Sequence, residues 1–113
     1  PRIVFRGSPQ QFATDEMALT VAEAAVSAGH DRTQAMPVRF FYYLPFEHAE
    51  DVAAQTRCLD LIRPLKNQEF YYWALVHADA ITRFGRFPHR NEVLGRETTE
   101  AERIYLETGG FGA

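Results

Sequence analysis

The segment from Arg83 to Arg96 concentrates the side chains of this sequence that are best suited to chemistry. It carries four arginines together with a histidine and an asparagine: Arg83, Arg86, His89, Arg90, Asn91 and Arg96. A guanidinium group stays protonated and can donate two parallel hydrogen bonds to a carboxylate or phosphate, so the arginines predict a site for an anion. His89 would add a titratable donor and Asn91 a neutral amide. Because Gly85 and Pro88 interrupt the segment, it cannot be one continuous helix.

The same arginines have a second interpretation, as a structural clamp. Three acids, Glu47, Glu50 and Asp51, precede them in the chain. Ion pairs between these acids and the arginines would lock the helices together. Charge clusters occur both at functional sites and in structural networks. The sequence therefore leaves anion binding and helix locking open as alternatives.

The run Glu47-His48-Ala49-Glu50-Asp51 is a second place for chemistry. A carboxylate beside an imidazole can act in general acid–base catalysis. Within a helix, His48 and Asp51 would be neighbours at i and i+3, whereas Glu47 and His48 would point apart. The alternative is that these acids only stabilise a helix N-terminus through the helix dipole.

Apolar residues recur at helical spacing along the chain, and strand signals are weak. About five helices are predicted, over about Pro9–Ala28, Pro37–Leu44, Glu47–Ile62 and Gln68–Phe84, and from Thr98 or Thr99 onward. Residues suited to helix ends support these bounds. They are Ser8 or Thr14, Asn67, and Thr99 with Glu102 at N-termini, and Gly29 and Gly85 at C-termini. The second helix is apolar on every side and is expected to be buried, with Pro45 ending or kinking it.

Three polar residues interrupt apolar stripes of these predicted helices. His48 and Gln55 lie on the stripe of the third helix, and His77 lies in the middle of the stripe of the fourth. We expect them to converge with the arginine segment in one pocket. The predicted ligand-binding residues are Glu47, His48, Glu50, Gln55, His77, Arg83, Arg86, His89, Arg90 and Asn91.

No metal ion, cofactor or reactive cysteine is predicted. His48, His77, His89 and Glu50 could supply metal ligands, but none of them has a recognised spacing such as H-E-x-x-H. Cys58 is the single cysteine, which excludes an internal disulfide. Phosphate-binding glycine loops and nucleophile motifs are absent as well.

The bulk composition narrows the class of protein. The 113 residues suffice for one small domain with a core, since 46% of them are hydrophobic. A net charge of −3 argues against nucleic-acid binding, which usually requires a basic domain. The longest apolar run, from Phe40 to Phe46, is far short of the roughly 20 residues of a membrane span. With one thiol and no signal-peptide pattern, we expect a cytoplasmic protein.

Several long motifs resemble those of a bacterial family known as domain of unknown function 924. Its closing signature is similar to the run from Arg83 to Asn91 followed by Leu94-Gly95-Arg96-Glu97-Thr98-Thr99-Glu100. Its central motif resembles Tyr43 to Asp51 followed by Gln55, and earlier matches are Phe5-Arg6-Gly7-Ser8, Phe12 to Asp15 and Ala28 to Asp31. The resemblance implies an all-helical fold similar to tetratricopeptide-repeat proteins and no established activity. The sequence departs from the pattern at Ile3, where the family has asparagine, and at Ala49, where serine is common.

Together these observations predict an all-α array of antiparallel helix pairs, tetratricopeptide-like, with residues 1–113 forming one domain. The resemblance implies further N-terminal helices, so we expect this chain to be a fragment that lacks them. An end left uncovered would favour a homo-oligomer or a partner chain. The preferred function is a binding module for a small anionic ligand or peptide. The alternatives are a hydrolase or lyase with an arginine anion clamp, and a purely structural polar network.

Overall fold

The computed structural model describes residues 9–12 and 14–111 of the chain. Within these ranges six α-helices follow one another: α1 (Asp15–Ser27), α2 (Val38–Phe41), α3 (Leu44–Glu47), α4 (Val52–Ile62), α5 (Gln68–Phe84) and α6 (Glu100–Glu107). Short 3-10 turns occupy Pro9–Phe12, His30–Thr33, Arg63–Leu65 and Pro88–Arg90. No strand occurs in the described part of the chain, so the predicted all-α class is confirmed. Its tetratricopeptide-like character and the single-domain boundary stay predictions.

The two C-terminal helices begin where the sequence predicted. The Asn67 side chain accepts a hydrogen bond from the backbone N–H of Phe70 at 3.0 Å and thereby caps α5. Gly85 ends α5 with a φ of 72°, a left-handed conformation that favours glycine. Thr99 and Glu102 form a reciprocal capping box at the start of α6. Local capping chemistry therefore fixes the ends of the segment between α5 and α6.

The predicted helix from Pro9 to Ala28 is wrong in its first part. Residues 9–12 form a 3-10 turn, and α1 begins only at Asp15. Thr14 stands at the N-cap position but makes no capping hydrogen bond with its side chain. Ser8, the other capping candidate, lies outside the described residues. Gly29 follows α1 in the left-handed conformation, as predicted.

The predicted helix from Glu47 to Ile62 is also wrong, because the chain breaks before α4. Asp51 is extended and its carboxylate accepts a hydrogen bond from the Ala54 N–H at 2.9 Å, so α4 starts after it. Glu47 ends α3, and Glu50 lies in the break. Neither acid therefore occupies the first turn of α4. The predicted helical pairing of His48 with Asp51 is wrong for the same reason.

Gln55 holds this break from inside the protein. Its amide nitrogen lies 3.3, 2.7 and 2.9 Å from the carbonyl oxygens of Phe46, Glu47 and Ala49. The Phe46 carbonyl also accepts from the Ala49 N–H, whereas the carbonyls of Glu47 and Ala49 lie where α3 ends, and a buried carbonyl requires a donor. The polar interruption of the predicted apolar stripe is thus explained in part by a structural role for Gln55.

The predicted helix from Pro37 to Leu44 is divided into α2 and α3. Pro45 lies in the first turn of α3, where its missing N–H leaves no hydrogen bond unmade. The prediction that this segment is buried on every side is also wrong. Tyr43 is fully buried, but Phe41 is 63% exposed.

Two apolar clusters form the core among the described residues. The larger one joins α1, α3, α4 and α5 through Ala22, Val26, Tyr43, Phe46, Cys58, Ile62 and Ala74. The smaller one joins the end of α5 to α6 through Ala80, Ile81, Phe87 and Tyr105. Along α5, His77 lies between the residues of the two clusters. Every helix in the described ranges is too short or too polar to span a bilayer.

An apolar groove of about 560 Å³ lies between α1 and α2. Met17, Val21, Val38 and Phe41 line it and are exposed. The prediction that a second chain covers part of this array stays a prediction.

Candidate functional site

Glu50 and Arg96 form the first of two ion pairs within the arginine segment. Arg96 Nη1 and Nη2 donate to Glu50 Oε1 and Oε2 at 2.9 and 3.1 Å. The Phe87 N–H donates to Glu50 Oε2 at 2.6 Å, and Arg96 Nη2 also donates to the Phe87 carbonyl at 3.1 Å. Burial alone would raise the pKa of Glu50, but these donors outweigh it and hold the pKa below its usual range. Glu50 therefore anchors the start of the Pro88–Arg90 turn to the break before α4.

Arg86 and Glu102 form the second ion pair. Arg86 Nε and Nη2 donate to the two oxygens of Glu102 at 2.8 and 2.7 Å, and Nη2 also reaches the Glu97 carbonyl at 2.6 Å. The Thr99 N–H donates to the same carboxylate at 2.9 Å. The hydrogen bonds from Arg86 are the main cause that lowers the pKa of Glu102 to about 2. Glu102, the buried acid that helps cap the start of α6, is thus fully paired.

Asn91 joins the two ion pairs. Its Oδ1 accepts a hydrogen bond from Arg96 Nε at 3.0 Å, and its Nδ2 lies 3.4 Å from Glu102 Oε1. Nδ2 also lies 3.3 Å from Thr98 Oγ1. We call this network the clamp and define it by Glu50, Arg86, Asn91, Arg96 and Glu102.

The clamp changes the prediction for the arginines. Pairing with the acids between Glu47 and Asp51 is confirmed for Arg96, which binds Glu50. It is wrong for Arg86, whose partner is Glu102. In both cases the face of the guanidinium group that could bind an anionic ligand already holds a carboxylate of the chain.

Arg90 and Arg83 lie in different surroundings. Arg90 is buried; its Nη2 donates to the His48 carbonyl at 2.8 Å, and its guanidinium carbon lies 4.3 and 4.7 Å from the ring centres of Phe12 and Phe87. Arg83 is half exposed and pairs with Asp79 one turn earlier on α5 at 3.4 Å. Arg90 therefore ties the turn to the end of α3, whereas Arg83 lies on the surface of α5.

Glu47 lies between two imidazoles in the interior of the fold. Its side chain is almost fully buried, with Oε1 3.9 Å from His77 Nδ1 and Oε2 4.0 Å from His48 Nε2. The rings of the two histidines are 5.7 Å apart between centroids. We call this group, Glu47 with His48 and His77, the Glu47 pocket. The His77 ring is covered by Phe87 and Phe111, whereas the His48 side chain is 34% exposed.

The carboxylate of the Glu47 pocket is poorly satisfied. Within the described ranges, Glu47 Oε1 has no hydrogen-bond partner and no arginine or lysine forms an ion pair with this acid. Burial raises the pKa of Glu47 to about 7. The nearby Gln55 Oε1 is also buried without a partner. A buried charge in this position is costly unless something binds it.

The surroundings of Glu47 disfavour the charged forms of its neighbours His77 and Cys58. The pKa of His77 is lowered, mainly by burial and also by the charge of Arg90. A hydrogen-bond contact of 2.7 Å between its Nδ1 and the Trp73 carbonyl acts in the opposite direction. Burial, and then the charge of Glu47, raise the pKa of the Cys58 thiol to about 12. A neutral imidazole has a lone pair that can bind a cation.

Three potential metal ligands come together in this pocket. One atom each from Glu47, His48 and His77 lies within 4.8 Å of the other two, and no other such group occurs in the described part of the chain. The sequence did not predict a metal here, because it grouped His48 and His77 with His89 and Glu50. Their spacing of 29 along the chain (from His48 to His77) carries no local signature.

Comparison with known proteins places this geometry in a family. A family described as bacterial protein of unknown function (DUF924) matches residues 1–110. The chain belongs to this family. The solved structure of a protein of unknown function from Agrobacterium tumefaciens is similar to it, with 50% sequence identity over 93% of this chain and a TM-score of 0.88. The chain spans 59% of that protein. No curated protein matches the chain.

In this DUF924 chain the predicted site residues separate into distinct groups. Glu47, His48, Gln55 and His77 lie together around the Glu47 pocket, and Glu50, Arg86 and Asn91 belong to the clamp. Arg90 connects the two groups through the His48 carbonyl. His89 packs against Phe111 and Phe87, and Arg83 lies outside both groups.

Glu102 is the main residue of the DUF924 clamp that sequence reasoning missed as part of a site. Its capping box with Thr99 was predicted, but that role accounts for only some of the hydrogen bonds of its carboxylate. The one hint in the sequence was Arg86, because the acids predicted to pair with it lie far away along the chain. Its separation of 16 residues from Glu102 follows no helical period, so the pairing could not be inferred from spacing.

Proposed function

We propose that this DUF924 chain is a helical binding module that holds a cation at Glu47, between His48 and His77. The observation that supports this proposal is the buried Glu47 carboxylate, whose Oε1 has no hydrogen-bond partner and which no arginine or lysine of the described residues pairs with. A bound cation would supply the missing counter-charge. It would also give Glu47 Oε1 the contact that it lacks.

A cation is better supported than the anion predicted from the sequence. The clamp arginines Arg86 and Arg96 already hold carboxylates, so an anionic ligand would have to displace an acid of the chain. An anion in the Glu47 pocket would be repelled by Glu47 itself. The anionic ligand or peptide stays a prediction without a described site.

The enzyme alternative has less support from the geometry. A carboxylate that orients a catalytic imidazole is within hydrogen-bond distance of it, about 2.6–3.2 Å. In the Glu47 pocket the two carboxylate–imidazole distances are 3.9 and 4.0 Å. Catalysis by His48 or His89 therefore stays a prediction, as do the cytoplasmic location and a partner chain.

The proposal is tested by the thermal unfolding of the whole chain at pH 8 in the presence of different cations. The panel contains sodium, methylammonium, methylguanidinium, magnesium and zinc ions at millimolar concentration. A cation that binds the folded chain raises the unfolding midpoint by mass action. We expect at least one of them to do so, and the effect to disappear in Glu47→Gln.

Glu69→Gln is the matched control, because Glu69 is exposed in the first turn of α5. It should respond to each cation as the unmodified chain does. Equal responses of the Glu47→Gln and Glu69→Gln variants to the whole panel would disprove the proposed function.

A further inference from the structure

We infer that the cation is a divalent transition-metal ion of the zinc class, bound by the Glu47 carboxylate, His48 Nε2 and His77 Nδ1. The inference rests on the proposed function and specifies its ligand. It also contradicts the absence of a metal predicted from the sequence.

The donor set selects the class of ion. Two imidazole nitrogens and one carboxylate oxygen suit zinc, iron, cobalt or nickel ions. Magnesium and calcium ions prefer oxygen ligands and usually take six or more of them. Among the described residues the Glu47 pocket offers one carboxylate as a metal ligand. A hard cation would therefore remain under-coordinated here.

The distances between the donor atoms must contract for an ion to bind. Metal–ligand bonds of about 2.0–2.2 Å in a tetrahedral site place neighbouring donor atoms roughly 3.3–3.5 Å apart. The separations from the two oxygens of Glu47 are 3.9 and 4.0 Å, and the three donor atoms lie within 4.8 Å of one another. Binding one ion therefore requires movements of at most roughly 1.4 Å, which side-chain rotation can supply. These separations are too long for hydrogen bonds and are suited to a bridging ion.

His77 sets the energetic cost of binding. Its Nδ1 is the atom that faces Glu47, and the same atom contacts the Trp73 carbonyl at 2.7 Å. Metal binding through Nδ1 replaces that contact, at the modest net cost of one hydrogen bond. Structural metal sites bind with far more free energy than this. The ion would enter past His48, the exposed ligand of the three.

Three protein ligands leave one position of a tetrahedral ion for water or another small ligand, as in catalytic zinc sites. The buried Cys58 lies close enough to Glu47 for its pKa to respond to that charge. The geometry assigns it no metal contact. A cobalt complex of the chain should therefore show the strong d–d absorption of a four-coordinate ion without sulfur-to-cobalt charge transfer.

The test is a titration of the tag-free, chelator-treated chain with zinc chloride and with cobalt chloride, followed by calorimetry and by visible absorption. We expect one equivalent of each ion to bind, and Glu47→Gln and His77→Gln each to weaken binding at least about 100-fold. The matched control is His30→Ala, because His30 is exposed in a different turn of the chain. It should leave the affinity unchanged. His48→Ala is the further variant if a buried substitution fails to fold, since His48 is partly exposed.

The outcomes separate the inference from the proposed function. Binding of methylammonium or methylguanidinium ions that depends on Glu47, without binding of cobalt or zinc, would overturn the metal and leave the cation site. Loss of both kinds of binding would overturn the two together. Metal binding that is equal in His30→Ala, Glu47→Gln, His48→Ala and His77→Gln would be adventitious and would overturn the inference.

Discussion

The clamp and the Glu47 pocket each bury one glutamate, and they treat it in opposite ways. Glu102 is 2% exposed and Glu47 is 3% exposed. Arg86 and the start of α6 hold the pKa of Glu102 at about 2, whereas burial raises that of Glu47 to about 7. Solvent exposure is nearly the same in both, but Glu47 lies deeper in the protein and only Glu102 is surrounded by donors, so depth of burial and hydrogen bonding together separate the two pKa values. The clamp is complete within the chain, and the Glu47 pocket lacks a counter-charge within the described residues.

This contrast divides the polar residues of the family signature by role. The clamp connects the break before α4 to the turn at Pro88 and to the start of α6, so it positions Phe87 and Arg90 against the pocket. Phe87 in turn packs against the His77 ring of the Glu47 pocket. The paired charges of the clamp hold the fold, and the poorly satisfied carboxylate of Glu47 indicates where a ligand would bind.

Acid should destabilise the clamp by the largest amount. The folded pKa of Glu102 lies below its unfolded value of about 4.5, so its contribution is present above that pH and is lost as the pH falls toward 2. Glu102 alone accounts for about 3 kcal/mol of unfolding free energy over this range, and Glu50 changes in the same direction. Urea unfolding between pH 5 and pH 2 measures the loss. A constant unfolding free energy would contradict the assignment of the clamp.

Glu102→Gln should lower the unfolding free energy by about 3 kcal/mol at pH 7, because Arg86 then loses its buried carboxylate. The variant retains an acceptor for the Thr99 N–H, so the change isolates the charge. Urea unfolding measures the effect. Glu107→Gln on the exposed end of α6 is the control and should change the unfolding free energy by less than about 1 kcal/mol.

Glu47→Gln should have the opposite sign. At pH 8 with a chelator present, it removes a buried charge and should raise the unfolding free energy by roughly 2 kcal/mol. Since the folded pKa of Glu47 is raised, the unmodified chain loses stability as the pH rises from about 4.5 through 7. The difference between the two proteins should grow over that range. His77 titrates in both proteins, so it largely cancels from the comparison.

The outcome that would break the comparison is destabilisation by Glu47→Gln at pH 8. It would mean that Glu47 is paired in solution as Glu102 is. Chemical unfolding of both proteins at pH 5 and pH 8 distinguishes the two cases.

Arg83→Ala should have the smallest effect. Its ion pair with Asp79 is exposed on α5, and pairs of this kind contribute about 0.3–0.5 kcal/mol. The variant tests whether the arginines of the segment differ in role, because Arg86→Ala should cost several times more. Equal losses of unfolding free energy for Arg83→Ala and Arg86→Ala in parallel urea titrations would show that the clamp arginine contributes no more than the surface arginine.

The helix ends of the C-terminal half could be predicted because their causes are local. Asn67, Gly85 and the Thr99–Glu102 box each act within one helical turn. The break before α4 could not be predicted, because the residue that stabilises it, Gln55, lies inside the following helix and binds carbonyls six to nine residues earlier. From helical periodicity alone, Gln55 is only a polar residue on an apolar stripe.

The sequence predicted which residues belong to the candidate site better than it predicted how they are arranged. Glu47, His48 and His77 were among the predicted residues because polar side chains on apolar stripes are unusual. Their separation from the arginines could not be predicted, since it depends on which acid each arginine meets. Arg96 meets Glu50 across 46 residues, and Arg86 meets Glu102 across 16. Such pairings are decided by tertiary packing.

The long reach of the clamp has a consequence for the order of folding. The helices α4 and α5 are neighbours in sequence and pack along each other, so they can associate after closing a short loop. The bonds from Glu50 to Phe87 and Arg96 close loops of 37 and 46 residues, and such distant contacts form slowly. We therefore expect the α4–α5 hairpin to be native-like in the folding transition state while the clamp is still open. In stopped-flow measurements, Glu50→Gln would then accelerate unfolding and leave the refolding rate nearly unchanged.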